Sequence, residues 1–136
     1  MIAVDTNVSV RVLVNDPGAE EQCRLARNLI NSHGDIWVSK IVLAETVRVL
    51  ESVCQFSKEQ IILVLEKLIR HPHVHLEYSE MLNNVLTVFS AGNAGFADCL
   101  ILSDAQHIQF ILYTFDRKLS RLHGAKCLET ESGEDI

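Results

Sequence analysis

Short apolar runs alternate along the chain with longer stretches of helical period. Ile2-Ala3-Val4 is a compact apolar run that closes on the polar Asp5-Thr6-Asn7, the pattern of a buried strand ending in a turn. Val8 to Val14 is apolar with Arg11 inside it and fits a helix or an irregular continuation equally well. After Asn15-Asp16-Pro17-Gly18, residues Ala19 to Ser32 set Leu25, Ala26 and Leu29 on one face and Glu20, Glu21, Arg24 and Arg27 elsewhere. That is an amphipathic helix, and His33-Gly34 ends it. Asp35 to Val38 predicts a second strand, and Ser39 the N-cap of a helix from about Ile41 to Val53. Ser57-Lys58-Glu59-Gln60 has the form of a capping box at the head of a helix running to about Ile69.

The second half continues the alternation. His73 to Glu77 predicts a short strand, Ser79 to Ala91 a helix, Gly92 to Gly95 a loop and Phe96 to His107 a further helix. Phe110 to Thr114 is the clearest strand, apolar along its length as expected of a strand covered on both faces, and Ala125 to Leu128 a last short one. Strands separated by helices predict an α/β fold, a three-layer α/β/α sandwich around a central, mostly parallel sheet. In such folds ligands sit beyond the C-terminal ends of the strands.

Composition supports a folded chain. Hydrophobic residues make up 48% and charged residues 22% of 136, a balance that buries one core without disulfides or a structural metal and so predicts a single domain. No basic segment precedes an apolar stretch at the start, and no apolar run approaches the roughly 18 residues needed to span a bilayer, so a cytoplasmic protein with no membrane role is expected. Cys23, Cys54, Cys99 and Cys127 form no CxxC pair, which argues against a zinc ribbon or a thioredoxin-type site and for buried free thiols. In His71-Pro72-His73-Val74-His75, strand alternation points His73 and His75 to one face, yet spacing signals no further zinc ligand.

The formal net charge is −6, a poor match on its face for a phosphate-bearing partner. Residues 129–136 hold four of the acids and no base, so the body without that tail stands at −2. Charge therefore does not decide the partner. The tail is expected to be loosely ordered.

Four carboxylates carry the candidate chemistry. Asp5 follows the first strand and Asp116 follows Phe110 to Thr114, each at the edge where such a sheet presents a site, although Asp also favours strand exits as a turn former. Glu45 has Ile41, Val42, Arg48 and Val49 three and four positions away, so an apolar setting is expected for its charge, with Arg48 as a competing ion-pair partner. Asp98 lies near the start of its helix above Ile101, Leu102 and Ala105, where the helix dipole also favours an acid. Asp104 points about 240° away round the same helix and is read as a surface residue. Converging carboxylates suit a hard divalent cation, Mg²⁺ or Mn²⁺, which activates water for attack on a phosphodiester. Thr6, Asn7 and Thr114 stand beside these acids as orienting groups. No GxSxG elbow and no P-loop competes.

Val4-Asp5-Thr6-Asn7, Leu43-Ala44-Glu45, Gly95-Phe96-Ala97-Asp98-Cys99-Leu100-Ile101 and Tyr113-Thr114-Phe115-Asp116-Arg117-Lys118-Leu119 resemble, in order, the motifs of the PIN-domain toxins of VapBC toxin-antitoxin pairs. The resemblance runs from residue 1 to about 128. It implies a PIN-like nuclease domain over 1–128 followed by the acidic tail 129–136. It implies a Mg²⁺- or Mn²⁺-dependent endoribonuclease, usually a homodimer, inhibited by an antitoxin protein whose tail occupies the active-site groove. Asp5, Glu45, Asp98 and Asp116 take the places of the metal-holding quartet, with Thr114, Thr6 and Asn7 supporting. Two other functions place acids at strand ends. A haloacid-dehalogenase-like phosphohydrolase wants a second Asp where Asn7 stands, and a receiver-like signalling module wants an acidic pair ahead of its phosphorylated Asp, which this chain lacks.

Overall fold

The computed structural model of the protein describes residues 1–129. The chain divides into two compact units, Met1–Leu86 and a second that begins at Thr87. The acidic tail predicted for 129–136 falls outside the described residues except for Glu129.

The first unit opens with β1 (Ile2–Ala3), α1 (Thr6–Leu13), a 3₁₀ turn at Pro17–Ala19 and α2 (Glu20–His33). The stretch after Asp5 that the pattern left open is thus helical. It continues through β2 (Ile36–Val38), α3 (Lys40–Ser52), α4 (Lys58–Arg70) and β3 (Val74–Leu76), and α5 (Ser79–Ala91) carries the chain past Leu86. Local side-chain chemistry explains the helix ends. Gly34 leaves α2 at φ 78°, a conformation with no penalty for glycine. Ser39 accepts from the Val42 N–H at the head of α3. Ser57 and Gln60 satisfy each other's backbone N–H groups at the head of α4, the capping box that their spacing predicts.

β1, β2 and β3 pair in that order, all parallel, with Ile2 opposite Ile36 and Ile36 opposite Val74. Parallel neighbours need long crossovers, here supplied by α1 and α2 and then by α3 and α4. Period-two alternation buries Ile36, Val38 and Leu76 on one face and sets Ala3, Trp37 and His75 in register on the other. Leu43, Val47 and Leu50 of α3 and Ile61 and Leu65 of α4 complete the buried interior. Thr46, buried among them, satisfies its hydroxyl on the Val42 carbonyl at 2.7 Å.

The second unit holds α6 (Phe96–His107), β4 (Leu112–Thr114), α7 (Arg117–Ser120) and β5 (Ala125–Cys127), with β4 and β5 paired in parallel. Phe89 and Phe96 meet edge to face at 5.6 Å, and Cys99, Leu100, Leu102 and Leu119 are buried. The mixed α/β class and parallel pairing agree with the expected α/β/α fold. β4 is shorter than its apolar run suggests and is not covered on both faces, because Phe110, Ile111 and Tyr113 are more than half exposed. All four cysteines are free thiols, with Cys23 and Cys99 buried.

His73 and His75 do share a face, and what they reach is Asp35 at the start of β2. Asp35 Oδ1 lies 2.8 Å from His73 Nδ1, and Oδ2 lies 3.2 Å from His75 Nε2. These two hydrogen bonds hold the Asp35 carboxyl below its ordinary value, His73 contributing first. A depressed carboxylate stabilises the fold above its unfolded pKa, and that contribution disappears as pH falls through the folded value. Asp35→Asn is therefore expected to be less stable than wild type at about pH 6, with the gap in urea midpoint closing towards about pH 3. A gap that stays constant with pH would remove the carboxylate from the account.

Candidate active site

Within the first unit, β1 ends at Ala3 and Asp5 caps α1, its Oδ1 accepting from the Val8 N–H at 3.1 Å. The turn-forming role that Asp5 shares with any strand-exit Asp is therefore real, and it uses one oxygen only. Oδ2 takes no hydrogen bond among the described residues. Thr6, next along, donates its hydroxyl to Glu45 Oε2 at 3.2 Å, which ties the start of α1 to the middle of α3 and brings Glu45 towards Asp5. No Glu45–Arg48 ion pair forms among the described residues, so Arg48 does not account for Glu45. The expected apolar setting of Glu45 is not found either. Glu45 is exposed, and Ile41 beside it is 70% exposed, so its charge stays solvated. Composition along a helix face does not report whether another element covers that face.

Asp5 and Asn7 also line a groove of about 510 Å³ between α1 and α2, with Val8, Leu25, Ala26 and Leu29 as its apolar wall. Leu25, expected on the inward face of α2, is 55% exposed here. Arg11 and Gln22 bridge the groove at 2.9 Å, and Arg11 pairs with Asp16 at 3.3 Å.

Within the second unit, Asp98 sits in the first turn of α6 and is half-buried, and Asp116 caps α7. Asp116 Oδ1 accepts from the N–H groups of Lys118 at 2.8 Å and Leu119 at 3.0 Å, leaving Oδ2 without a bond among the described residues. Thr114 Oγ1 accepts from the Asp116 N–H at 3.0 Å and fixes the strand exit. Partial burial, and then the charge of Asp116, hold the Asp98 carboxyl above its ordinary value.

In the first unit the hydroxyl of Thr6, beside Asp5, bonds Glu45, and in the second the Thr114 hydroxyl bonds the Asp116 backbone while Asp98 feels the Asp116 charge. Among the described residues no group of three or more His, Cys, Asp or Glu is placed to hold a metal ion, and this includes the Asp35, His73 and His75 cluster. The donor set is nevertheless carboxylate and hydroxyl oxygen throughout, the chemistry of hard cations, and Mg²⁺ needs only one or two carboxylates besides water and substrate phosphate. The residues fit such an ion.

The sequence matches the PIN domain over residues 2–125, a span that includes all four acids. The chain belongs to the PIN-domain family. A PIN domain is a nuclease fold, and PIN domains generally use divalent metal ions. Comparison with curated proteins finds no match. No helix among the described residues is long and apolar enough to cross a membrane.

The sequence analysis places no helix after Asp116, whereas the four-residue helix α7 follows it and makes Asp116 an oriented cap. The signal was present in Asp116 standing two and three positions before Lys118 and Leu119, the N-cap offset. For this PIN domain, Asp98→Asn removes both the desolvation and the repulsion. The metal-free variant is expected to melt no lower than wild type at neutral pH. Because the Asp98 pKa is raised, the wild-type penalty is relieved as pH falls through the folded value, so the advantage should vanish by about pH 4. A variant that melts lower at neutral pH without metal contradicts the repulsion.

Proposed function

We propose that this PIN domain is a Mg²⁺- or Mn²⁺-dependent endoribonuclease and the toxin of a VapBC-type pair, with Asp5, Glu45, Asp98 and Asp116 as the carboxylates that serve the cation. The observation that carries the reading is the PIN-domain match over residues 2–125, a span that holds all four acids, with Asp5 and Asp116 each capping a helix through Oδ1. When bound, the cation lowers the pKa of water for attack on the phosphodiester and neutralises charge on the leaving oxygen. The chain's own residues orient the donors. The Val8 N–H fixes Asp5, and the Thr6 hydroxyl fixes Glu45. The Lys118 and Leu119 N–H groups fix Asp116 by one oxygen, with Thr114 holding the backbone that carries it. Asn7 adds an amide at the mouth of the α1–α2 groove.

Cleavage of labelled single-stranded RNA should require added Mg²⁺ or Mn²⁺ and stop in EDTA. Asp98→Asn and Asp116→Asn should each lower kcat by about 100-fold or more, and Thr6→Val by about 10-fold, since groups that orient metal ligands are worth about 10–100-fold. Cleavage that persists undiminished in chelator would overturn metal dependence.

The toxin role rests on the resemblance and on the α1–α2 groove. Its apolar wall of Val8, Leu25, Ala26 and Leu29 beside the Asp5 carboxylate suits a partner segment with apolar side chains and a terminal Arg or Lys. A homodimer is the assembly that the resemblance implies. Expression of the chain alone should arrest growth, and co-expression of a small protein encoded beside it should restore growth and co-purify. Undisturbed growth with a protein that cleaves RNA in vitro would leave the nuclease and remove the toxin.

A further inference from the structure

Strand alternation divides the β4–β5 pair of the second unit into two faces. Leu112 and Thr114 of β4 and Ala125 and Cys127 of β5 are half-buried on one face. Tyr113 and Lys126, opposite each other in register, are exposed on the other. Neighbouring strands lie about 4.8 Å apart, so the tyrosine ring and the lysine stem leave the sheet side by side. Tyr113 is 55% exposed, and Phe115, which stands at the strand exit directly before Asp116, is 79% exposed. The face that an apolar run would have buried is open, and its rings lead to a candidate acid.

None of these side chains is engaged elsewhere. Among the described residues Tyr113, Phe115 and Lys126 make no side-chain hydrogen bond, ion pair or ring contact, and the same holds for the side chains of Arg117, Lys118 and Arg121. Residues 117–126 thus present Arg117, Lys118, Arg121 and Lys126 with no acid among them, in a chain whose formal net charge is −6. Unpaired cations beside exposed rings suit an anionic polymer whose every unit offers one planar face and one charge. A second copy of this chain suits them poorly. Lysine is depleted in protein interfaces, and a two-fold contact would set these cations against their own copies.

We propose that the open β4–β5 face binds single-stranded RNA, Tyr113 and Phe115 stacking on bases while Lys126 and the α7 cations Arg117, Lys118 and Arg121 meet backbone phosphates. A duplex keeps its base faces inside the stack, so exposed rings select a single strand. Stacking is tolerant of base identity, and each phosphate contact adds a salt-dependent contribution. Tyr113, Phe115 and Asp116 follow one another along the strand exit, so a strand held on the rings is carried to the acid. The choice of RNA rests on the nuclease reading above.

The test is binding of a fluorescent single-stranded RNA of about ten nucleotides to the full chain in EDTA, followed by anisotropy across a range of salt. Tyr113→Ala should weaken binding by about tenfold, and Tyr113→Phe, which keeps the ring, should restore it. Lys126→Gln should lower the slope of log affinity against log salt by about 0.7, the contribution of one phosphate contact on a single strand. Lys67→Gln, which removes the same charge from α4 in the first unit, should leave that slope as it is. The same RNA annealed to its complement should bind more weakly than the single strand. Wild-type affinity in Tyr113→Ala, an unchanged slope in Lys126→Gln, an equal drop in Lys67→Gln, or no preference for the single strand would each overturn the surface. So would a Tyr113→Ala variant that alters the oligomeric state and leaves RNA affinity intact, since the face would then join copies of the chain. Cleavage in Mg²⁺ separates the two readings. A protein that binds RNA through these residues without cutting it keeps the surface and loses the nuclease, and one that cuts RNA with both substitutions silent does the reverse.

Discussion

Parallel pairing cannot be closed by a tight turn, and much of the first unit follows from that constraint. β1 and β2 must each be followed by a crossover to reach the next strand, so every exit lies at one edge and every entry at the other. Asp5, Ser39 and Glu77 stand at the exits, and Asp35 and His73 at the entries. The polar groups divide accordingly. Those at the exits cap helices or hold one another, as Asp5 does for α1, Ser39 and Glu77 for α3, and Thr6 for Glu45. The pair at the entries, with His75, clasps β2 to β3. Strands of two or three residues have little ladder of their own, so these side-chain ties help fix register that longer strands would hold by backbone alone.

A carboxylate that caps a helix is still able to serve the proposed chemistry, because it has two oxygens and a cap uses one. In Asp5 and Asp116 the Oδ1 atom accepts from helix N–H groups, which fixes the rotamer and the direction of Oδ2. A free aspartate would spend most of its time in other orientations. Under the proposed function the helix N-terminus would position a cation ligand, and replacing either Asp by Ala would confound loss of the cap with loss of that ligand. The isosteric Asn, which keeps an acceptor oxygen for the cap, separates them.

Local signals were legible in the sequence, and those that depend on another element were not. The capping box at Ser57, the cap at Ser39, the stop at Gly34 and the limits of α5 and α6 came out as their residues predict, since each depends on neighbours within four positions. Asp5 and Asp116 were also visible as strand-exit acids, because a strand exit is a sequence property. Asp35 as the partner of His73 and His75 was not, for it lies nearly forty residues earlier and is brought there by β2–β3 pairing. Burial failed in the same way. Glu45 and Ile41 share an apolar stretch and lie exposed, and Leu25 faces an open groove. Tyr78 carried no sequence signal, because tyrosine is not a residue from which a left-handed turn is inferred.

In the proposed site, charge would link stability to activity. Asp98 is half-buried, and that burial, followed by the charge of Asp116, disfavours its ionised form in the metal-free chain. A cation that binds the folded chain and not the unfolded one stabilises the fold by mass action, about 2.7 kcal/mol when it is present at 100 times its Kd. The same argument sets how a basic partner segment would act. An arginine or lysine near the carboxylates relieves the repulsion as a cation does, yet supplies no water for attack, so it stabilises the fold while preventing the reaction. Stability alone therefore does not distinguish metal from inhibitor at this site, whereas the combination of raised melting temperature and retained cleavage does.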